Sequence, residues 1–124
     1  MGQIAAIRLR GKWNIKTGIE DTLTLLGIRR KNNMVILENT KNNMGMLAKA
    51  KDYITYGEIN KEMLDKLISK KEPKKKTDKK LIFSLPNPKK GFKSIKTGFN
   101  EGGDLGYRGD KINDLLERII ENIE

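Results

Sequence analysis

The first sixty residues alternate between short segments with strand periodicity and short segments with helix periodicity, which constrains the fold more than any other feature of the chain. Residues 3–10 alternate apolar and polar side chains, and this pattern predicts a half-buried strand. The continuous apolar run at residues 34–37 predicts a buried strand. Residues 53–59 predict a third strand, in which Tyr56 is expected to pack in the core rather than serve as a stacking surface.

Two helices are predicted between these strands. Thr17 and Glu20 have the spacing of a capping box at the start of the first helix, and Gly27 is expected to end it. A polar turn at residues 39–43 is expected to precede the second helix. The inner faces of the two helices would carry Ile19, Leu23 and Leu26 in the first and Met46, Leu47 and Ala50 in the second.

The second half of the chain is expected to extend this core within one domain of 124 residues. Asn60 is the predicted cap of a third helix, which runs into a lysine-rich linker at residues 70–80. A short strand at 81–85 and a basic, glycine-rich loop at 86–109 follow. Residues 110–123 predict a final helix, and its strongly apolar face is expected to pack on the core rather than on a partner.

The balance of charge favours polyanionic partners. Lys and Arg number 26 against 16 Asp and Glu, which gives a formal net charge of +10. Nucleic acid is the first partner that such a charge predicts, and an anionic membrane surface is the second. The N-terminal residues lack the pattern of a signal peptide, and no apolar run reaches the ~20 residues of a membrane span. We therefore expect a soluble, intracellular protein.

The chain contains neither histidine nor cysteine, which argues against an enzyme. Histidine is the most frequent general acid or base near neutral pH, and histidine and cysteine are the main zinc ligands. Disulfides require cysteine. Neither a phosphate-binding Gly-x-x-x-x-Gly-Lys-Ser/Thr loop nor a dinucleotide fingerprint is present. Glu101 and Asp104 lie close in sequence, but in a cation-rich loop they are expected to shape turns or pair with Lys or Arg. No catalytic residue, cofactor or metal site is predicted.

The stretch from Lys89 to Gly109 combines glycines, cations and aromatic rings. Its six glycines exclude a helix or a long strand and are typical of a shaped loop. Phosphate is attracted to Lys and Arg, and bases stack on aromatic faces, so we expect this loop to contact RNA. The alternative is a surface loop whose rings anchor it to the core, which is favoured for Phe99. The candidate RNA-binding residues here are Lys89, Lys90, Phe92, Lys93, Lys96, Tyr107 and Arg108.

Further cations occur at the predicted strand ends and turns. Arg29, Arg30 and Lys31 follow the first helix, where positive charge complements the helix dipole. Three cations in succession exceed what the dipole requires and favour phosphate contact. The first strand and the residues after it add Arg8, Arg10 and Lys12, with Arg8 and Arg10 expected on the face opposite to the buried one.

Four segments, in the same order along the chain, resemble the large-subunit ribosomal protein L-thirty family in its archaeal form, whose eukaryotic counterpart is called L-seven. They are Ile7-Arg8-Leu9-Arg10-Gly11; Asp21-Thr22-Leu23 with Leu26; Gly45-Met46-Leu47 followed by Lys49 and residues 51–59; and Lys90-Gly91-Phe92-Lys93 followed by residues 101–103 and 105–109.

The resemblance implies an α+β fold with a β-α-β-α-β core at residues 1–59. In this core a three-stranded, mainly antiparallel sheet carries its helices on one face, in a ferredoxin-like arrangement. The usual right-handed crossover rule would favour parallel strands, so the antiparallel pairing comes from the resemblance alone. Residues 60–124 resemble the extension of archaeal and eukaryotic members, which ends in a helix.

The resemblance also implies a structural constituent of the large ribosomal subunit that binds ribosomal RNA, and it adds Lys49 to the candidate RNA-binding residues. The small ribosomal RNA of that subunit and neighbouring ribosomal proteins are implied as further partners, without a membrane or a small-molecule substrate. The alternative is a free RNA-binding or RNA-chaperone module that acts in ribosome assembly and leaves the mature particle.

Overall fold

A computed structural model of the chain describes residues 3–9, 17–28, 32–51, 53–70, 75–76, 81–84 and 105–120. Its elements are, in order, β1 (Gln3–Arg8), α1 (Thr17–Leu26), β2 (Asn33–Glu38), α2 (Lys41–Lys49), β3 (Ile54–Ile59), α3 (Lys61–Lys70), β4 (Lys75–Lys76), β5 (Leu81–Ser84), β6 (Gly106–Tyr107) and α4 (Ile112–Ile120). One 3-10 turn, Gly109–Lys111, leads into α4. The predicted order of the first three strands and their helices is confirmed.

The strands form one sheet in the order β4-β5-β2-β1-β3-β6. Strand β1 pairs antiparallel with β2 and β3, β2 with β5, and β5 with β4, while β6 is parallel to β3. The mainly antiparallel, three-stranded core of β2, β1 and β3 is therefore confirmed, and the complete sheet is larger than this core. The second half of the chain adds three strands, which include residues 75–76 of the expected linker and residues 106–107 of the expected loop.

Helices cover both faces of this sheet. Helices α1 and α2 share one face, as the resemblance implies, and α3 and α4 of the extension cover the other. The α1/α2 face packs Ile4, Ala6, Leu23, Leu26, Ile28, Val35, Leu37, Leu47, Ala50, Ile54, Tyr56 and Ile82. The α3/α4 face packs Ala5, Ile7, Leu9, Met34, Ile36, Ile59, Leu64, Leu67, Phe83, Leu105, Ile112, Leu115, Leu116, Ile119 and Ile120. Because β1 is buried on both faces, the prediction that it is half-buried is wrong.

The helix ends follow the signals in the sequence. Gly27 ends α1 with a positive φ of 90°, which favours glycine. The amide of Ile28 donates to the carbonyl of Leu23 over 3.1 Å, which closes the helix and fixes the chain that leaves it. Asn60 caps α3 as predicted, since its side chain accepts from the Met63 amide at 2.7 Å.

Helix α2 begins earlier than the sequence pattern indicated. Thr40 is its cap and accepts from the Asn43 amide at 3.2 Å. The helix therefore starts at Lys41, inside the segment expected to be a polar turn. Ser, Thr and Asn favour both turns and helix caps, so the run of polar residues could not distinguish the two.

Backbone contact attaches the start of α4 to β3. A Cβ on Gly57 would lie 2.0 Å from the carbonyl oxygen of Gly109, so only glycine fits at this position of β3. The side chain of Asn113 accepts from the Asn60 amide at 3.0 Å and donates to the Glu58 carbonyl at 3.1 Å. The final helix is thus fixed against the end of β3 by close approach and by two hydrogen bonds.

Candidate RNA interface

One end of the sheet collects the attachment points of most basic segments. Strands β1 and β5 finish at this end, and β2, β3 and β6 begin there; we call it the β1-exit end. The residue pairs that establish it are Ile7 with Met34, Arg8 with Ile54, Asn33 with Ser84 and Thr55 with Gly106. Strands β1, β2 and β3 meet again at the opposite end, where Gln3 pairs with Glu38 and Ile59.

The connections at the two ends differ in charge. Segments 10–16 and 29–31 join the β1-exit end, and each contains three Lys or Arg residues and no acidic residue. Segment 85–104 joins it too, with four lysines against two acidic residues. At the opposite end, residues 39–40 are Asn and Thr, and residues 77–80 contain two lysines and one aspartate. Strand direction, rather than nearness in sequence, gathers these basic segments.

Lys49 also lies at the β1-exit end. Helix α2 follows β2 and precedes β3, so its last turn returns to the end at which β3 begins. Leu47 and Ala50 are buried and hold this turn against the sheet, while Lys49 is exposed. Its ammonium group is therefore available to a polyanion on a fixed helix.

Arg8 lies inside the protein, fully buried on the α1/α2 face. Its Nη1 donates to the carbonyl of Ile28 at 3.1 Å, and its Nη2 donates to the carboxylate of Glu20 at 3.3 Å. A buried guanidinium requires such partners, because an unpaired charge away from water is very costly. The expectation that Arg8 lies on an exposed strand face is therefore wrong, and the Glu20 carboxylate, expected in a capping box, bonds this arginine.

Arg108 is also buried, with 7% of its surface exposed. Its Nε donates to the hydroxyl oxygen of Thr55 at 2.7 Å, and its amide donates to the carbonyl of Tyr56 at 2.9 Å. The Thr55 hydroxyl in turn donates to the carbonyl of Gly106 at 3.1 Å. These bonds attach the end of the glycine-rich segment to β3, so Arg108 acts inside the protein rather than at an exposed loop tip.

Tyr107 combines an exposed ring with a fixed orientation. It keeps 44% of its surface exposed, and its hydroxyl donates to the carboxylate of Glu58, with an oxygen–oxygen distance of 2.7 Å to Oε2. Its ring centroid lies 5.4 Å from that of Tyr56, at an interplanar angle of 51°. Tyr56 itself is buried, as predicted, and this burial raises the pKa of its phenol. Tyr107 therefore presents a ring whose position two side chains set.

The remaining predicted RNA-binding residues lie outside the described residues. They are Arg10, Lys12, Arg29, Arg30, Lys31, Lys89, Lys90, Phe92, Lys93 and Lys96, and Phe99 lies outside them as well. The structure describes the chain on both sides of each segment that carries them. Leu9, Ile28, Asn32, Ser84 and Leu105 are these flanking residues at or near the β1-exit end.

Three supporting residues were not singled out as site residues from the sequence: Thr55, Glu58 and Asn32. Thr55 and Glu58 point to opposite faces of β3 and hold Arg108 and Tyr107, across about fifty positions of sequence. Such pairs leave no local pattern. Asn32 carries a weak signal, because Asn is the residue, after Gly, that best tolerates its positive φ of 68°.

Neither a metal centre nor a membrane segment is found in the described part of the chain. There, no group of three or more acidic side chains is arranged to hold a metal ion. No helix among the described residues is long and apolar enough to cross a membrane.

Comparison with known proteins gives this arrangement a family. The sequence profile described as ribosomal protein L30p/L7e matches residues 4–54, from β1 to the first residue of β3. Large ribosomal subunit protein uL30 of Nanoarchaeum equitans is 39% identical in an alignment that covers 97% of this chain and 100% of that relative. The chain belongs to the L30p/L7e family.

Other archaeal uL30 proteins are similar over comparable spans. That of Methanosphaera stadtmanae is 35% identical, covering 94% of this chain and 99% of the relative. That of Thermoplasma volcanium is 34% identical, covering 94% and 92% respectively. The resemblance based on four ordered segments is thus confirmed. Since the L30p/L7e family is one of ribosomal proteins, the expectation of a non-enzymatic protein is confirmed as well.

Proposed function

We propose that this chain is a structural constituent of the large ribosomal subunit and that it binds ribosomal RNA with the β1-exit end of its sheet. The observation that carries the proposal is that several cation-rich segments are attached at one end of the sheet, in a chain with a net charge of +10. The uL30 relatives support it, because they are large ribosomal subunit proteins and align with this chain over almost their whole length. The proposal places the chain in the ribosomes of the cytoplasm.

The proposed RNA contacts include exposed residues that the structure describes and cations of the connecting segments. Lys49 and Tyr107 are exposed at or near the β1-exit end. The cations of the connecting segments would neutralise phosphates, and Phe92 would offer a further ring: the full set is Arg10, Lys12, Arg29, Arg30, Lys31, Lys89, Lys90, Phe92, Lys93 and Lys96. Arg8 and Arg108 are buried and would support these segments instead of touching RNA.

The proposed mechanism is assembly rather than turnover. A sheet buried on both faces provides a rigid platform, so the basic segments leave from fixed points. Each phosphate contact releases counterions, and the logarithm of affinity should fall with the logarithm of salt by roughly 0.7–0.9 per contact. Recognition would depend mainly on the shape of folded RNA, with Tyr107 stacking on a base that is splayed from its helix.

We propose one domain spanning residues 1–124, with core 1–59 and extension 60–124. The sheet supports a single domain, because β5 and β6 of the extension pair directly with β2 and β3 of the core. Neighbouring ribosomal proteins and the small ribosomal RNA of the subunit are the further partners we propose.

Sedimentation tests the proposal directly. The tagged full-length chain is expressed in an archaeal cell, and lysates are separated on sucrose gradients before and after a wash with 0.5 M salt, about the range in which non-specific phosphate contacts are lost. We expect the chain in the large-subunit and whole-ribosome fractions at one copy per particle, and we expect it to remain there after the wash.

The same gradients distinguish the alternative. A free RNA-binding or RNA-chaperone module would appear with precursor particles, at less than one copy in mature subunits, and would be removed by salt. That outcome would overturn the structural assignment while keeping RNA binding. Sedimentation at the top of the gradient, without any RNA, would contradict both.

A further inference from the structure

We infer that Arg8 is a positioning residue for RNA binding, because it holds both ends of the short connection between α1 and β2. The three residues of that connection outside the described part are Arg29, Arg30 and Lys31. The inference rests on the proposed function of these cations and assigns to Arg8 a role different from that of a phosphate ligand.

Two hydrogen bonds from one residue carry the inference. The Arg8 guanidinium donates to the carbonyl of Ile28, the last described residue before the connection, at 3.1 Å. The carbonyl of Arg8 accepts from the amide of Asn32, the first described residue after it, at 2.8 Å. The side chain and backbone of a single residue therefore fix where the connection begins and where it ends.

The backbone on both sides of the connection is constrained as well. Gly27 has a φ of 90° and Asn32 a φ of 68°, both in the left-handed region. This region favours glycine and is tolerated by asparagine, so the chain direction at these points is specified by residue type. Anchored ends with defined chain direction are what a short, cation-bearing connection requires to present its charges in a reproducible place.

Glu20 holds the guanidinium in this position. Its carboxylate accepts from Nη2 at 3.3 Å while Nη1 bonds Ile28, so the planar fork of Arg8 addresses two partners at once. Lysine has a single ammonium point charge and does not reproduce this forked geometry. The side chain of Arg8 is fully buried, so RNA cannot compete for it in the folded chain.

Positioning of this kind changes affinity rather than the number of charges. Cations on a loosely held connection lose more conformational freedom on binding than cations on a fixed one. Arg8→Met leaves Arg29, Arg30 and Lys31 in place, yet it should weaken binding through them. A purely structural arginine would affect folding without depending on those three cations.

A double-mutant cycle tests this dependence. The full-length chain is bound to transcribed archaeal large-subunit ribosomal RNA over a series of salt concentrations, at a temperature where circular dichroism shows every variant folded. The variants are Arg8→Met, the triple variant Arg29→Gln/Arg30→Gln/Lys31→Gln, and their combination. Arg108→Met is the matched control, because it removes another buried arginine that anchors a different segment.

We expect the triple variant to lose roughly 100-fold in affinity at 0.1 M salt, about fivefold for each lost contact. Arg8→Met should lose about tenfold alone and almost nothing further when the triple variant is already present. Arg108→Met should instead add its effect to that of the triple variant. Amide hydrogen exchange at Asn32 should become faster in Arg8→Met and remain unchanged in Arg108→Met.

Different failures have different meanings. If the triple variant binds RNA as tightly as the wild type, the proposed function of this connection is wrong. If the triple variant weakens binding while Arg8→Met does not, or while Arg8→Met is additive with it, Arg8 is merely structural and the inference is overturned. Should Arg8→Met not fold, Arg8→Lys and Glu20→Gln make the same comparison with smaller perturbations, and additivity of both with the triple variant would overturn it equally.

Discussion

The two ends of the sheet differ in what the described residues do there. At the end where β3 finishes, the side chain of Asn113 bonds the backbone of Asn60 and Glu58. At the β1-exit end, buried Arg8 bonds Ile28 and buried Arg108 bonds Thr55, next to the points where basic segments are attached. The first end is held together by internal hydrogen bonds, whereas at the second end basic segments are attached at fixed points of the sheet.

Under the proposed function, this difference would let an antiparallel sheet separate stability from RNA binding. Because neighbouring strands run in opposite directions, alternate connections fall at opposite ends, and the charge of each connection can be chosen independently. Substitutions at the end of β3 should therefore change stability with little effect on RNA affinity. Neutralised cations at the β1-exit end should do the reverse.

Gly57→Ala should produce the largest loss of stability. The added Cβ would lie 2.0 Å from the Gly109 carbonyl oxygen and 3.1 Å from Cβ of Ile112, so backbone has to move. Overpacking typically costs 1–3 kcal/mol, and contact with backbone should bring the loss to about 3 kcal/mol. Urea denaturation measures it, with Gly45→Ala as the control, because a Cβ there meets nothing within 4 Å. Equal stability of both variants would contradict the close approach of α4 to β3.

Asn113→Ala should have the next largest effect. It removes two hydrogen bonds and leaves the Asn60 amide and the Glu58 carbonyl without this partner, which should lower the free energy of unfolding by about 2 kcal/mol. Asp114→Ala, on the exposed side of the same helix, should change it by less than about 0.5 kcal/mol. RNA affinity measured on the folded protein should be the same for both variants, and a loss confined to Asn113→Ala would blur the distinction between the two ends.

Tyr107 is expected to contribute to both stability and RNA binding, and substitutions can separate the contribution of its hydroxyl from that of its ring. Tyr107→Phe should cost about 1 kcal/mol of stability, because it removes the bond to Glu58. It should leave RNA affinity unchanged if the ring stacks on a base. Tyr107→Leu should lower affinity by about 1–3 kcal/mol, the range of base–aromatic stacking. If both variants bind RNA like the wild type, the ring serves only to pack against Tyr56.

Replacement of the Tyr56 hydroxyl should have the smallest effect on stability, and this effect should appear only at high pH. Burial raises the pKa of its phenol above 10.0 in the folded state, so the folded chain retains this proton more strongly than the unfolded chain. Its contribution is fully present below about pH 10 and is lost as pH rises towards the folded pKa. Above that pH, the stability of Tyr56→Phe should fall less steeply with pH than the stability of the wild type. Parallel declines in thermal unfolding would contradict the assignment to Tyr56.

The sequence predicted the elements with strong local signals. Helix α1 ends at Gly27, α3 is capped by Asn60, and the apolar stripe of α4 is buried, each as its residues indicated. Strands β4 and β6 were missed, because two residues carry no periodicity. Their pairing depends on neighbours distant in sequence, as with Tyr107 beside Tyr56.

The candidate site was predicted in outline but not in its arrangement. The cations could be named from the sequence, whereas their attachment to one end of the sheet depends on strand directions that periodicity does not specify. The burial of Arg8 has a signal in the sequence, because Ile4 and Ala6, on the same face of β1, are apolar and indicate that this face is covered too. Arg108 had no such signal, because its partner Thr55 lies 53 residues away.

Matched charge neutralisation tests the central claim most directly. The triple variant Arg29→Gln/Arg30→Gln/Lys31→Gln removes three charges at the β1-exit end. Lys41→Gln/Lys61→Gln/Lys111→Gln removes three exposed charges that follow β2, β3 and β6 towards the other end. In filter binding to large-subunit ribosomal RNA, we expect the affinity of the first variant to fall roughly 100-fold at 0.1 M salt. The slope of log affinity against log salt concentration should become shallower by about 2–3. We expect the second to change the slope by less than 1. Equal losses in both variants would show that net charge alone governs binding, and would contradict an RNA-binding end.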